Sequence, residues 1–318
     1  MLTLQDIESA ANTVYAHFQA TPQYRWALSS ERLGTDCWMK HENHTPVGAF
    51  KIRGGLTYFE ALKSHGDLPK EVISATRGNH GQSMGWAARA NGVACTIVVP
   101  LGNSIEKNAA MRALGVTLIE HGEDFQAARE FAINLAKERN AHMVPSFHPN
   151  LIRGVATYWW EFFKAVPNMD VAYVPIGMGS GAASAITATL ALGRNVKIVG
   201  VVSSHAPAYA DSIAAGRVIE APATTVLADG MACRIPDQAA LDVLLPYIDH
   251  IVKVTDAEIA QAMRDIYTDT HNVAEGAGAA SFAAAMQERA TLADKVVGTT
   301  LCGGNVDASV FAKVLLGH

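Results

Sequence analysis

Charge is scarce in this 318-residue chain: Asp, Glu, Lys and Arg together make up 17% of it, and the formal net charge is −5. No basic excess is available to neutralise a phosphate backbone or an anionic bilayer, which argues against nucleic acid or a membrane surface as a partner. Cysteine is sparse too. Cys37, Cys95, Cys233 and Cys302 lie far apart with no C-x-x-C pair, so a disulfide frame or a zinc site is not expected and the thiols read as those of a reduced, cytoplasmic protein. No uncharged apolar run reaches the ~20 residues that cross a bilayer. The start, MLTLQDIESAANTVYAHF, has acids where a secretion signal needs a basic head. Repeats, low-complexity tracts and Pro/Ser tethers are missing as well.

What is present is apolar residue, 49% of the chain, enough for a large core. The length exceeds one core of ~250–300 residues, so two lobes are expected. Leu4, Ile7, Ala11, Val14, Tyr15 and Phe18 recur at helical spacing and predict an amphipathic first helix. From residue 70 onward, short β-branched runs such as Val72–Thr76, Cys95–Val99, Val171–Val174 and Lys197–Val202 alternate with Ala-rich helical segments. Strands that are apolar on both faces predict parallel sheets flanked by helices. Ligands of open α/β sheets sit beyond the carboxyl ends of the strands.

Three loops at such places carry chemistry. Gly177-Met178-Gly179-Ser180-Gly181 follows a strand and opens a helix, where backbone N–H groups converge on a phosphate; a ligand-free turn would look the same. No Lys-Ser/Thr follows, so it is not a Walker loop, and its spacing departs from the dinucleotide fingerprint. Phe50-Lys51-Ile52-Arg53-Gly54 puts a lysine in apolar, Gly-rich surroundings; desolvation suits a lysine to Schiff-base chemistry, whereas a lysine snorkelling from a helix end is the bland alternative. Thr76-Arg77-Gly78-Asn79-His80-Gly81-Gln82 offers polar side chains and free donors at a helix start, fit for a carboxylate or for an ordinary capped turn.

Together these segments resemble the fold-type-II pyridoxal-phosphate enzymes, specifically the threonine/serine dehydratase and serine racemase family. Ala228-Asp229-Gly230, Glu275-Gly276-Ala277-Gly278-Ala279 and Cys302-Gly303-Gly304-Asn305 match further family stretches in the same order, over nearly the whole chain. The resemblance implies an α/β, two-lobed fold similar to the tryptophan synthase β subunit, with residues 1–65 plus 149–318 as the large cofactor-binding domain and 66–148 as a small mobile one. It implies pyridoxal 5′-phosphate as cofactor, held by Lys51, with Phe50 against its ring, Asn79 on its 3′-oxygen, Gly177, Met178, Gly179, Ser180 and Gly181 around its phosphate, and Cys302 facing its ring nitrogen. Lys51 would also take the substrate's Cα proton. Thr76, Arg77, Asn79, His80 and Gly230 would line the amino-acid substrate. Homodimers or homotetramers are usual in the family.

The sequence departs from the family pattern in ways that narrow the reaction. Cys302 stands where serine usually faces the ring nitrogen; it either keeps the ring neutral, favouring prompt loss of a β-leaving group, or is simply a small buried residue. Arg77 stands where racemases carry a serine base, and arginine stays protonated, so racemisation is the alternative rather than the expectation. Arg77 forks onto a second substrate carboxylate, pointing to 3-hydroxyaspartate, or turns away onto a protein acid; the sequence leaves both open. Val202 and Ala208 fill the family's divalent-cation positions, so no metal is expected there. His41-x-x-His44 has metal-like spacing, but on a strand the two rings would face opposite ways. The chain ends 13 residues after Asn305, leaving no expected regulatory module and suggesting catabolism. The expectation is a dehydratase (ammonia-lyase) that turns an L-β-hydroxy amino acid of threonine or serine type, or 3-hydroxyaspartate, into a 2-oxo acid and ammonia; a non-catalytic binding protein is the remaining class.

Overall fold

The computed structural model describes residues 2–317. Helix α1 (Leu4–Tyr15) opens on a capping box between Thr3 and Asp6 and buries Ile7, Ala10, Ala11 and Val14; Phe18 lies beyond its end. Strand β1 (Gln23–Arg25), helix α2 (Ala27–Leu33) and strand β2 (Asp36–His41) follow, then helix α3 (Lys51–Ser64). Next come β3 (Glu71–Ala75), α4 (Asn79–Ala90), β4 (Ala94–Val99), α5 (Ile105–Ala113), β5 (Thr117–Glu120), α6 (Phe125–Glu138) and β6 (His142–Met143). The remainder runs α7 (Pro149–Ala165), β7 (Val171–Pro175), α8 (Ser180–Ala191), β8 (Lys197–Ser203), α9 (Ala208–Ala215), α10 (Gln238–Leu244) and β9 (His250–Val254). It ends with α11 (Asp256–Thr270), α12 (Gly276–Glu288), β10 (Val296–Leu301) and α13 (Ala308–Leu315).

Two sheets result. The larger has strand order β1-β2-β10-β7-β8-β9, all parallel except the short edge strand β1. The smaller, β5-β4-β3-β6, is wholly parallel, and all its strands fall within 66–148. Helices cover both faces of each sheet, as buried β-branched strands require. One face of the large sheet packs on α7 and α8, with Trp159, Phe162 and Phe163 in its core; the other packs on α11 and α12 through Ile259, Met263, Ile266 and Phe282. Beneath α3, Arg53 is fully buried and bonded to Glu42 at 2.7 Å and Glu161 at 2.6 Å, with Lys40 also on Glu161 at 2.6 Å. This network ties the lysine-bearing helix to β2 and α7.

The two histidines behave otherwise than a strand predicts. β2 ends at His41 and a 3₁₀ turn over Glu42–His44 breaks the alternation, so the rings stack 5.1 Å apart instead of facing opposite ways. His41 accepts from Trp26 Nε1 at 2.9 Å and His44 bonds Asn272. Among the described residues no group of three His, Cys, Asp or Glu is placed to hold a metal, and no helix is long and apolar enough to cross a membrane.

Candidate active site

The lysine, asparagine and glycine segments meet, with Gly230 and Cys302, around one cleft of about 860 Å³ including its open mouth. Lys51 is the first residue of α3, so its side chain leaves the helix at the end nearest the cleft. The preceding loop is pinned to the loop after β10: Phe50 N donates to Cys302 O at 3.0 Å, Gly304 N to Gly48 O at 2.9 Å, and Asn305 Nδ2 to Val47 O at 2.8 Å. Lys51 Nζ donates to Ser180 Oγ at 2.7 Å and lies 4.9 Å from the Phe50 ring. Burial lowers its pKa to about 8, so near neutral pH it can hold or release a proton. The snorkelling alternative fails on this point.

Across the cleft, β7 delivers the glycine segment. Helix α8 begins at Ser180, so Ser180 and Gly181 are its first turn and only Gly177–Gly179 form the loop. Gly179 has φ +91, a left-handed conformation that a side chain resists, and a Cβ there would come within 2.8 Å of Ala240 Cβ. A Cβ at Gly177 would strike the carbonyl of Gly230, which places Gly230 against the same loop. The result is a helix start with unpaired N–H groups and a favourable dipole, a setting for a phosphate. Tyr209 buttresses it from behind, donating to Met178 O and accepting from Asp237 N, both at 3.2 Å.

The small sheet supplies the third wall. β3 ends at Ala75, and α4 begins at Asn79. Thr76 Oγ1 accepts from Gly78 N at 2.9 Å, closing the turn. The first N–H groups of α4 then face the cleft with the helix's positive end. Asn79 is held at both ends of its amide: Nδ2 donates to Glu275 Oε1 at 2.6 Å, and Oδ1 accepts from Asn305 Nδ2 at 2.9 Å. His80 is buried, and desolvation, helped by Lys51, pushes its pKa down to about 3, so its ring is neutral. Arg77 borders the cleft, with its Nε buried and unpartnered. Cys302 sits at the cleft floor, where burial and then Glu275 raise its thiol pKa and keep it protonated.

Three charged residues of the cleft, Lys107, Asp229 and Glu275, were not foreseen as site residues, nor was Asn305, which holds Asn79 from the adjoining cavity. Lys107 Nζ lies 2.7 Å from Asp229 Oδ2 and 3.1 Å from Glu275 Oε2. Burial works against the ammonium, but the two carboxylates outweigh it and raise its pKa. Glu275 is itself buried, and desolvation raises its pKa despite Lys107. An acid at the start of a Gly/Ala-rich helix is an ordinary arrangement, so the sequence did not mark out Glu275, whose burial depends on Lys107 and Asn79 arriving from elsewhere.

A family model described as pyridoxal-phosphate dependent enzyme matches residues 14–303, and the chain belongs to that family. It is a fold-type-II pyridoxal-phosphate-dependent enzyme. It is 31% identical to L-threonine ammonia-lyase of Thermotoga maritima over 316 residues, covering 99% of this chain and 78% of the relative. With L-threo-3-hydroxyaspartate ammonia-lyase of Saccharomyces cerevisiae it shares 28% over 316 residues, covering 99% and 97%. The structure of maize serine racemase superposes with a TM-score of 0.90 at 25% identity, over 99% and 97% of the two chains. The residues present fit the cofactor: a desolvated amine able to condense with an aldehyde faces a glycine-lined helix start able to take a phosphate.

Proposed function

We propose that this enzyme is a dehydratase of the ammonia-lyase type, acting on an L-β-hydroxy amino acid of the threonine, serine or 3-hydroxyaspartate kind. The observation that carries the reading is the buried Lys51 amine, its pKa near 8, set 2.7 Å from the first residue of the glycine-lined helix. The relatives named as ammonia-lyases support the reaction class. Lys51 would hold the cofactor, Phe50 would pack on its ring, and Asn79 would reach its 3′-oxygen. Backbone donors of Gly177, Met178, Gly179, Ser180 and Gly181 would take its phosphate, and Cys302 would face its ring nitrogen. When bound, pyridoxal phosphate supplies an electron-poor ring that accepts negative charge from the substrate α-carbon.

The chain's own residues do the rest. Thr76 and the N–H groups of Asn79 and His80 receive the α-carboxylate at the positive end of α4. Neutral His80 adds a hydrogen bond without a charge that would compete with Lys51. The Lys51 amine takes the Cα proton, the β C–O bond breaks, and the hydroxyl leaves as water with the proton that Lys51 returns to it. The enamine product is hydrolysed to the 2-oxo acid and ammonia, so every atom is accounted for. A positioned base of this kind contributes ~10²–10⁴-fold. Racemisation would need a second base on the opposite face, and the protonated Arg77 and Lys107 beside the cleft do not provide one. In the same reading, residues 1–65 with 149–318 hold the cofactor, 66–148 form the smaller moving unit, and the enzyme works as a cytoplasmic homodimer or homotetramer.

The test is Lys51→Ala. It is expected to abolish both the visible absorbance of bound cofactor and ammonia release from threonine, serine and 3-hydroxyaspartate. Retained turnover would sink the proposal.

A further inference from the structure

The ion pairs of the cleft leave one guanidinium over. Besides Lys51, two cationic side chains border it, Lys107 and Arg77, and two acids, Asp229 and Glu275. Lys107 takes both acids, at 2.7 and 3.1 Å. Arg77 therefore has neither. Its Nε is buried without a partner, and it also borders an adjoining cavity of about 640 Å³ including its open mouth, walled by Ser104, Asn305 and Asp307. Asp307 is engaged as well, accepting from Ser104 Oγ and from the backbone N–H of Ile105 and Glu106. A guanidinium is a rigid fork of donors matched to a carboxylate, and a buried donor with no acceptor is unfavourable until one arrives. Arg77 stands two residues before Asn79, and the N–H groups of Asn79 and His80 at the start of α4 suit the substrate's α-carboxylate. A second carboxylate carried on the β-carbon lies three carbon–carbon bonds from the first, within reach of a long arginine side chain.

We infer that Arg77 is the receptor for a second, side-chain carboxylate, which makes β-carboxylated amino acids of the 3-hydroxyaspartate class the preferred substrates over threonine and serine. The preference among hydroxy amino acids rests on the dehydratase reading, but recognition of the acidic side chain does not, and the two are tested separately.

Holoenzyme is titrated with L-aspartate and with L-alanine, neither of which has a β-hydroxyl to lose, and binding is read from the cofactor's absorbance. Wild type is expected to bind aspartate the more tightly. Arg77→Ala should weaken aspartate binding about 100-fold, as removal of one partner of a desolvated charge pair does, and leave alanine within a few-fold. In turnover, kcat/KM for 3-hydroxyaspartate should fall by a similar factor while that for threonine stays nearly constant. Equal losses for aspartate and alanine would assign Arg77 to the α-carboxylate, and no loss for either would put its guanidinium in solvent; both overturn the inference. Arg77→Gln repeats the test should Arg77→Ala not retain cofactor, and failure of both to bind cofactor would also overturn it. An enzyme that dehydrates none of these substrates, yet binds aspartate through Arg77, would refute the dehydratase and leave this inference standing.

Discussion

The Lys51 amine differs from a surface lysine only in its surroundings: burial among Phe50, the α8 start and the cleft floor removes the water that would stabilise its charge. The consequence is measurable in the cofactor-free protein. Unfolding returns the amine to its ordinary pKa of 10.5, whereas the folded value is about 8, so between these values the unfolded chain binds more protons. Stability contributed through Lys51 therefore rises with pH from about 8 to 10.5. Melting curves at pH 8 and pH 10 should show this rise as a difference between the wild-type protein and Lys51→Met, which lacks the titrating group. A pH dependence identical in the two proteins would remove the claim of a desolvated amine. Lys51 was legible in the sequence because its chemistry and its Gly-rich surroundings coincide within a few positions. Arg53, two residues on, was not: its burial depends on Glu42 and Glu161 arriving from elsewhere.

Among the elements, those with a local pattern of their own were the ones readable in advance. The apolar spacing of the first helix and the β-branched runs of the inner strands are of that kind; the caps at Thr3, Ser104, Asp124 and Thr255 then fix where their helices begin. The His41–His44 turn was misread because the short 3₁₀ turn that stacks the rings leaves no periodic trace. The start of α8 is the element on which cofactor capture is proposed to turn. Gly179→Ala should lower affinity for pyridoxal phosphate on the order of 10-fold, matching 1–2 kcal/mol of left-handed strain, with crowding against Ala240 adding to it. Fluorescence titration of the cofactor-free variant reads this directly, and unchanged affinity would mean that the loop relaxes without loss.

In the molecule as a whole, the contacts that join the two sheets' surroundings were invisible in the sequence, since spacing says nothing of partners 122 positions apart such as Lys107 and Asp229. Helices α5 and α13 show the arrangement most plainly. The Asp307 carboxylate, which begins α13 and caps nothing in its own helix, receives the first N–H groups of α5. Glu106, in the first turn of α5, returns the favour by accepting from Ala308 N at 2.8 Å. Asp307→Ala should cost about 1 kcal/mol and speed amide exchange at Ile105 and Glu106, while the strands of the large sheet keep their protection. Uniformly faster exchange would instead mean a global loss. The reciprocal arrangement fastens the 66–148 segment to the last helix of the chain. Each exchanged cap is worth about 1 kcal/mol, and the Lys107 pairs with Asp229 and Glu275 also join the 66–148 segment to the part of the chain beyond it. Two helix starts that lend each other their acids form a clasp in which neither half is complete alone.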